Sequence, residues 1–207
     1  RSGRAGEGSA TRWIELDGDN GMPWLSMLEQ AHAHGDAQGV DTALTHLASS
    51  NRFDTYRGAA AGAVAHRATR DEQDLAGVHD LALKAAAEEA LLPAPATGAL
   101  MSECRDQAGA DTPRARTCRA ISDAMFAHSD SLAGEALAGA LLLESTGDES
   151  RRDAILAERA LAAAHWSPAT GFAECRDLRD RLEDMVRVGQ VGELQALREQ
   201  MRSFVPP

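Results

Sequence analysis

The fold is decided by the stretch Trp13–Tyr56, WIELDGDNGMPWLSMLEQAHAHGDAQGVDTALTHLASSNRFDTY. Its apolar residues recur roughly every three or four positions between polar, glycine-containing breaks. That spacing predicts a helix end, a turn, a helix, a second turn and a third helix. Gly35 is predicted to close the middle helix, and Ala43-Leu44 lies on the inner face of the next one. The stretch therefore predicts an antiparallel helical hairpin.

The same pattern recurs twice further along the chain. Gly147-Asp148 precedes the pair Ala154-Ile155, and Gly189 precedes the pair Ala196-Leu197. Each of these glycines is predicted to close a helix, because glycine adopts the left-handed conformation that ends helices at little cost. The recurrence predicts that the hairpin is used repeatedly.

The composition favours helices throughout the chain. Alanine is abundant, β-branched residues are scarce, and aromatic residues make up 4% of the sequence. Alanine is the strongest helix former, whereas strands prefer β-branched and aromatic residues. We therefore predict an all-α protein of about ten helices, stacked as antiparallel hairpins in an array similar to an α-solenoid. The predicted helices include 22–34, 71–92, 97–109 and 149–165.

The chain is predicted to form one continuous domain in two parts. Residues 1–10 are rich in Gly, Ser and charge and predict a flexible lead-in. Residues 11–92 form an N-terminal helical part and residues 96–207 a C-terminal one, since Pro93-Ala94-Pro95 must interrupt any helix. The segment GAAAGAVA at 58–65 has so little side chain that its helix must pack by close backbone approach to a neighbour.

The first complete helix carries an apolar stripe that resembles a known repeat. Trp24, Met27, Leu28 and Ala31 follow one another at helical spacing. Trp24, Leu28, Ala31 and Gly35 resemble the first helix of a tetratricopeptide repeat. The stretch DAILAERALAAAHWSP, Asp153–Pro168, is similar to the second helix of such a repeat with its closing proline.

The resemblance covers about half the chain and departs from the repeat at its turns. The turn after Gly35 is about three residues too long, and the turn after Gly147 is about two residues too long. The resemblance implies a degenerate helical-repeat protein that binds protein segments on an extended surface.

The charge of the chain limits its partners. Acidic residues outnumber basic ones 32 to 21, which gives a net charge of −11. Nucleic acids and anionic membranes are disfavoured as partners because both need clustered Lys and Arg, whereas a basic protein is allowed. No transmembrane segment is predicted, since the longest apolar run, Leu137–Leu143, is too short to span a bilayer.

The cysteines predict a disulfide and, through it, a compartment. Cys104 and Cys118 flank the turn at 110–113, each about two helical turns from it, so they face each other across a hairpin. A bridge would place the protein in the periplasm or another extracytoplasmic space. The alternative is two buried thiols in a cytoplasmic protein. Cys175 is then left over and is interpreted as a core thiol.

No catalytic signature is present. The chain has no HExxH, no CxxC and no GxSxG motif, and it has no glycine-rich phosphate loop after a strand. His32 and His34 lie on different faces of a helix and cannot chelate one ion together. We therefore predict no cofactor, no metal and no catalytic residue. A metal-dependent enzyme whose ligands converge only in the fold is the alternative.

Two surface features could contact a partner. Arg105, Arg114, Arg116 and Arg119 crowd around the predicted disulfide and form a possible partner-binding patch. The competing interpretation is that these arginines pair with nearby carboxylates such as Asp106 and Asp111. The other feature is the turn 17–23, which lies between two tryptophans. It is more typical of a structural contact that joins two repeats than of a ligand site.

These observations predict a protein-interaction module, a scaffold or adaptor that binds a partner protein through an acidic helical surface. Charge would set the association rate and the choice of partner. An inhibitor of the immunity type, which occludes a basic bacterial toxin, is the alternative within the same class.

Overall fold

The computed structural model describes residues 3–71, 77, 94–105, 107, 110–147, 150, 153, 157 and 175–204. This part of the chain contains nine α-helices and no strand, so the all-α prediction is confirmed. None of these described helices is both long and apolar enough to cross a lipid bilayer. The helices are α1 Gly3–Leu16, α2 Met22–His34, α3 Ala37–Ser49, α4 Arg57–Asp71, α5 Ala94–Cys104, α6 Pro113–His128, α7 Leu132–Thr146, α8 Cys175–Val191 and α9 Glu193–Phe204.

Helix α1 begins inside the predicted lead-in. It starts at Gly3, although residues 1–10 lack an apolar period. Ala10 is buried and Trp13 packs against the core, which anchors the C-terminal half of this helix. The helices predicted over residues 71–92 and 149–165, and the tetratricopeptide-like stretch Asp153–Pro168, lie largely outside the described residues.

Local signals in the sequence mark several helix ends. Pro23 stands in the first turn of α2, where its missing N–H is not needed. The carboxylate of Asp36 caps α3 by accepting a hydrogen bond from the Gly39 N–H (3.0 Å). Thr112 caps α6 through its hydroxyl oxygen in the same way. Gly35 ends α2 with a φ of +67°, a conformation that favours glycine.

The break near the C-terminus differs from the prediction. Gly189 was predicted to close a helix, but it lies inside α8, which continues to Val191. The break is at Gly192, whose φ is +85°. Gly189 does not form a turn. It allows α8 to pack closely against α4 at Gly62.

The described chain divides into two compact units, and the first contains Arg1–Asp54, Leu92–Ser129 and Ala133–Ala157. In this unit α2 packs against α1, α3 and α5, and α3 also packs against α6. Burial of apolar side chains from these helices supplies the main stabilising term. The fully buried large residues of the unit are Leu25, Leu28, Leu44, Leu47, Phe53, Leu100, Ile121, Met125 and Leu141.

Three helix connections of the first unit run side by side. Asn20 pairs with Arg52, and Phe53 pairs with Ser129, each as an isolated parallel bridge. The N–H of Phe53 donates to the carbonyl of His128 (3.1 Å). These bonds satisfy backbone groups that leave the helices at their ends. They hold the connections at 19–21, 51–53 and 128–129 in one layer.

The second unit contains Thr55–Leu91, Asp130–Leu132 and Glu158–Pro207. Its described core is the packing of α4 against α8 around Ala65 and Leu182. A Cβ atom built on Gly62 would lie 2.8 Å from the Cα of Gly189, closer than real Cβ contacts allow. The two helices therefore meet backbone to backbone, which confirms the close approach predicted for the Ala- and Gly-rich segment.

Candidate functional site

An open groove of about 490 Å³ lies between α2 and α3. One face of α2 forms one wall, and the first half of α3 forms the other. The lining mixes apolar side chains with amide, hydroxyl, imidazole and carboxylate groups, as in sites that bind and orient a ligand. The lining residues are Trp24, Met27, Gln30, Ala31, His34, Asp36, Gln38, Gly39, Thr42 and Ala43.

The predicted apolar stripe of α2 splits between the core and this groove. Leu28 is fully buried, together with Leu25. Trp24, Met27 and Ala31 are half-buried and line the groove, although they also touch the core. The sequence predicted one inward-facing stripe. In the structure the buried positions of α2 are rotated toward Leu25, which leaves part of the stripe on the surface.

Trp24 is held in place at one end of the groove. Its ring stacks on the imidazole of His46, with centroids 3.8 Å apart and planes inclined by 7°. Its Nε1 atom donates to the carbonyl of Gly18 at 3.4 Å. A side chain fixed on two sides loses little conformational entropy when a ligand contacts it, so the groove has a preformed aromatic wall.

The other end of the groove carries polar groups with defined roles. Nδ1 of His34 donates to the carbonyl of Gln30 (2.7 Å), because a carbonyl oxygen can only accept. The Nε2 atom of a neutral His34 is therefore an acceptor. Asp36 lies at the turn between the two helices and adds a carboxylate to the lining.

A charged cluster of His32, Asp41, Glu103 and Arg114 lies beside the disulfide. Nδ1 of His32 on α2 is 2.8 Å from Oε1 of Glu103 on α5. Arg114 on α6 donates to the Asp41 carboxylate of α3 at 2.7 Å, and lies 3.8 Å from Glu103. The cluster thus links four helices. Because its groups are partly exposed, each pair contributes modestly to stability.

The predicted disulfide between Cys104 and Cys118 is confirmed. Both cysteines are buried, and their Cα atoms are 5.8 Å apart. The helix bounds differ from the prediction, because α5 ends at Cys104 itself and does not continue to residue 109. The bridge therefore joins the last residue of α5 to a position inside α6. Cys175 is the first residue of α8.

Two of the four arginines of the predicted patch form ion pairs within the protein. Arg114 belongs to the charged cluster, and Arg116 pairs with the Asp111 carboxylate at 2.6 Å. The Asp111 pairing is the one that the competing interpretation named. Asp106, the other carboxylate named there, lies outside the described residues. These ion pairs partly neutralise the positive charge of Arg114 and Arg116.

The other two arginines differ in exposure. Arg119 is half-buried and donates to the carbonyl of Ser145 (3.3 Å), so it caps the end of α7. The side chain of Arg105 is exposed, and no polar partner holds it in the described part of the chain. Three of the four arginines therefore bond to groups of the protein itself. The partner-binding patch stays a prediction.

The turn 17–23 is organised around a buried asparagine. Nδ2 of Asn20 donates to the carbonyl of Asp54 (2.7 Å) and to the carboxylate of Asp17 (2.9 Å). Oδ1 of Asn20 accepts from the N–H groups of Met22 (3.0 Å) and Asp54 (3.2 Å). Arg52 pairs with Asp17 on the same turn. Because these partners are protein groups, the turn ties helix connections of the first unit together.

Ionisable groups do not converge into a metal centre in the described residues. Among them, no group of three or more His, Cys, Asp or Glu side chains is placed to hold a metal ion. On α8, partial burial and the neighbouring carboxylates of Asp180 and Glu183 raise the pKa of Asp184. On α9, hydrogen bonds from Arg187 and Gln195 lower the pKa of Glu199.

The groove was not predicted from the sequence. Its α3 wall contains Gln38 and Thr42, and no sequence signal separates these side chains from those of any solvated helix face. Trp24, Met27 and Ala31 stood out only as members of the apolar stripe, and Ala43 only as a residue on the inner face of α3. The chain matches no family model, no curated protein and no solved structure. Its function is therefore argued from the geometry of the described helices.

Proposed function

We propose that the protein is a binding module that captures a basic partner protein on an acidic helical surface. The observation that carries this proposal is the crowding of carboxylates on α8. Asp180, Glu183 and Asp184 are neighbours on α8, and all three side chains are exposed. Partial burial of Asp184, together with the charges of Asp180 and Glu183, raises the pKa of Asp184. Exposed carboxylates that repel one another attract a positively charged partner and increase its association rate.

Other acids add to the negative charge of the described residues. In the described part of the chain, Asp19, Glu29 and Glu183 take part in no ion pair. The net charge of the whole chain is −11, so a basic protein is attracted at long range as well. The described surface thus favours a basic partner over an acidic one.

We also propose that the helices are stacked antiparallel hairpins, as in a helical-repeat protein. The packing of α2 on α3, of α2 on α5 and of α3 on α6 supports this arrangement. In such a stack each hairpin buries its apolar face on the next, and one helix of each pair contributes to an extended surface. The tetratricopeptide-like character of the chain belongs to the same proposal.

The compartment is proposed from the disulfide. Disulfides persist in oxidising spaces and are rare in the cytosol. The bridge between Cys104 and Cys118 therefore supports a periplasmic or other extracytoplasmic location. A basic partner would be met in the same compartment.

Affinity capture at two salt concentrations tests the proposed function. The immobilised protein is exposed to a lysate of its source organism at low salt and then at high salt. We expect a basic protein to be retained at low salt and lost at high salt, because exposed charges are screened. If nothing is retained, or if retention does not fall with salt, electrostatic capture is wrong.

A pair of charge variants sharpens the test. The first variant, D180N/E183Q/D184N, removes the crowded carboxylates of α8. The control, E15Q/D111N/E199Q, removes the same charge from carboxylates that already pair with arginines. We expect capture to fall more in the first variant. An equal fall in both would overturn the assignment of the binding surface to α8.

A further inference from the structure

We infer that the groove between α2 and α3 is a docking site, additional to the carboxylates of α8, for an extended segment of the partner with an apolar anchor residue beside an Arg or Lys. The inference rests on the proposed function, and it names the chemistry that the partner must offer. The groove offers three features: an apolar wall, a set of side chains that can bind a peptide backbone, and a charge that favours a segment of opposite charge.

The apolar wall is formed by Trp24, Met27 and Ala31. These side chains are half-buried, so a ligand that covers them removes further apolar surface from water. His46 covers one face of the Trp24 ring, so the ring offers the groove its other face or its edge in a fixed position. Methionine adapts to differently shaped apolar residues. This wall fits one aliphatic or aromatic anchor.

The polar lining fits the backbone of an extended chain. An extended segment has unpaired N–H and C=O groups that must find partners when they leave water. Gln30 and Gln38 each offer a donor and an acceptor, and the Thr42 oxygen can accept while its proton bonds to the carbonyl of Gln38 (2.8 Å). A helical segment would not need these groups, because its backbone is already bonded internally.

The length of the groove sets the length of the segment. Trp24 and His34 mark its two ends on α2. A separation of ten residues along a helix corresponds to about 15 Å. An extended chain covers this distance with about four or five residues, at roughly 3.3 Å each. The docked segment is therefore a short peptide and not a folded surface.

The charges around the groove select a basic segment. Its ten lining residues include no Lys and no Arg, and they include the carboxylate of Asp36 at one end. Asp19, which follows Gly18 in the chain, is exposed and takes part in no ion pair in the described residues. A cation near Trp24 also gains attraction from the aromatic ring. An acidic segment would meet repulsion from the carboxylate of Asp36.

Peptide pools test this chemistry directly. Four pools of fluorescein-labelled hexapeptides, acetylated and amidated at their ends, combine an apolar or serine anchor with flanking Arg/Lys or Asp/Glu. Binding to the full chain is measured by fluorescence anisotropy. We expect the apolar–basic pool to bind tightest. Its affinity should be about tenfold higher than that of the apolar–acidic pool, because the two pools differ by one favourable charge contact. Equal binding of these two pools overturns the inference.

Two threonines on α3 provide a blocking variant and its control. Thr42 lines the groove and Thr45 does not, yet both are exposed and both hydroxyls donate to a carbonyl of their own helix at 2.8 Å. Thr42→Arg should fill the groove and weaken the binding of the apolar–basic pool at least about tenfold. Thr45→Arg adds the same charge and should leave binding within about twofold of the unmodified chain. If the two variants bind alike, the groove is not the site.

The same variants separate this inference from the proposed function. If the partner captured from lysate is retained equally by Thr42→Arg and Thr45→Arg, the groove inference is wrong and the capture function stands. If capture fails but the peptide pools show the expected order, the groove stands and the capture function is wrong. A dimer that Thr42→Arg dissociates in size-exclusion chromatography would show that a second copy fills the groove, and would overturn the inference.

Discussion

Among single residues, Asn20 illustrates how a buried polar side chain can be stabilising. Its amide group makes four hydrogen bonds, two as donor and two as acceptor, and it is fully buried. An aspartate would lose both donations and add a charge beside Asp17. A leucine would leave the backbone groups of Met22 and Asp54 without partners. Asparagine is the residue that satisfies this environment.

Replacing this side chain should be costly. We expect Asn20→Ala to lower the free energy of unfolding by about 2–3 kcal/mol, because buried donors and acceptors are left unsatisfied. Asn51→Ala is the control, since Asn51 is exposed and uses only its backbone N–H, which donates to Asp19. That variant should change stability by less than about 0.5 kcal/mol. Denaturation by urea measures both, and equal values would contradict the role of Asn20.

Two carboxylates of the second unit should act on stability with opposite signs. The pKa of Asp184 is raised in the folded state, so its charge destabilises the protein above that pKa, and the penalty is lost as pH falls through it. The pKa of Glu199 is lowered, so it stabilises the protein above its unfolded pKa, and this contribution is lost as pH falls through the folded pKa.

Isosteric amides test these signs. At neutral pH we expect Asp184→Asn to raise the thermal midpoint and Glu199→Gln to lower it. Both differences from the unmodified protein should vanish in acid, where the carboxyl groups are protonated. Carbon-detected NMR titration gives the two pKa values directly. A pKa for Asp184 at or below the usual aspartate value would refute the crowding on α8.

At the scale of the helices, the contact of Gly62 with Gly189 sets how closely α4 and α8 approach. We expect Gly62→Ala to destabilise the protein by about 1–3 kcal/mol, because the new methyl group would displace a backbone. Gly98→Ala is the matched control, since Gly98 is a helical glycine with open space around it. That variant should stabilise the protein by about 0.5–1 kcal/mol through helix propensity. A stabilising Gly62→Ala would contradict the close approach.

The disulfide is expected to stabilise the connection from α5 to α6. It joins residues 14 apart in sequence, and closing a loop of this size stabilises by about 3 kcal/mol in the chain-entropy model. Reduction by a dithiol should lower the free energy of unfolding by this amount, and it should not affect the variant C104A/C118A. Titration of the unreduced, unfolded chain should find one thiol, that of Cys175. Three thiols would show that no bridge forms.

Local signals made most helices predictable. Helix α2 coincides with its predicted range, since Pro23 and Gly35 mark its ends by their backbone preferences. The same reasoning was wrong at Gly189, because a glycine that permits a close helix contact looks the same in sequence as one that ends a helix. The bridge between Cys104 and Cys118 was predicted correctly, although the helix that was expected to continue to residue 109 ends at Cys104.

The candidate site was beyond the reach of sequence periodicity. The period of α2 identifies an apolar face but not its centre. A shift of one position leaves Trp24 half-buried at the edge of the core. That shift depends on where α5 and α3 pack. The groove arises only when two helices meet, so its polar residues Gln38 and Thr42 carried no signal of their own.

At the scale of the whole molecule, the first unit takes its core from both sides of Pro93-Ala94-Pro95. Ala96, Leu100 and Met125 belong to the same apolar cluster as Leu28 and Leu44. We therefore expect the fragment 1–92 to lack cooperative thermal unfolding by circular dichroism, and the fragment 93–207 to restore it on mixing. Cooperative unfolding of fragment 1–92 alone would show that its helices do not need the later ones.

The side-by-side connections of the first unit have a kinetic consequence. The bridge between Phe53 and Ser129 joins residues about 75 apart, whereas most contacts in helical proteins are local. The entropy of closing this long loop must be lost before the contact is gained. An all-helical chain of this kind should therefore refold more slowly than a bundle of neighbouring hairpins. Its folding rate should depend on when the connections at 53 and 129 first meet.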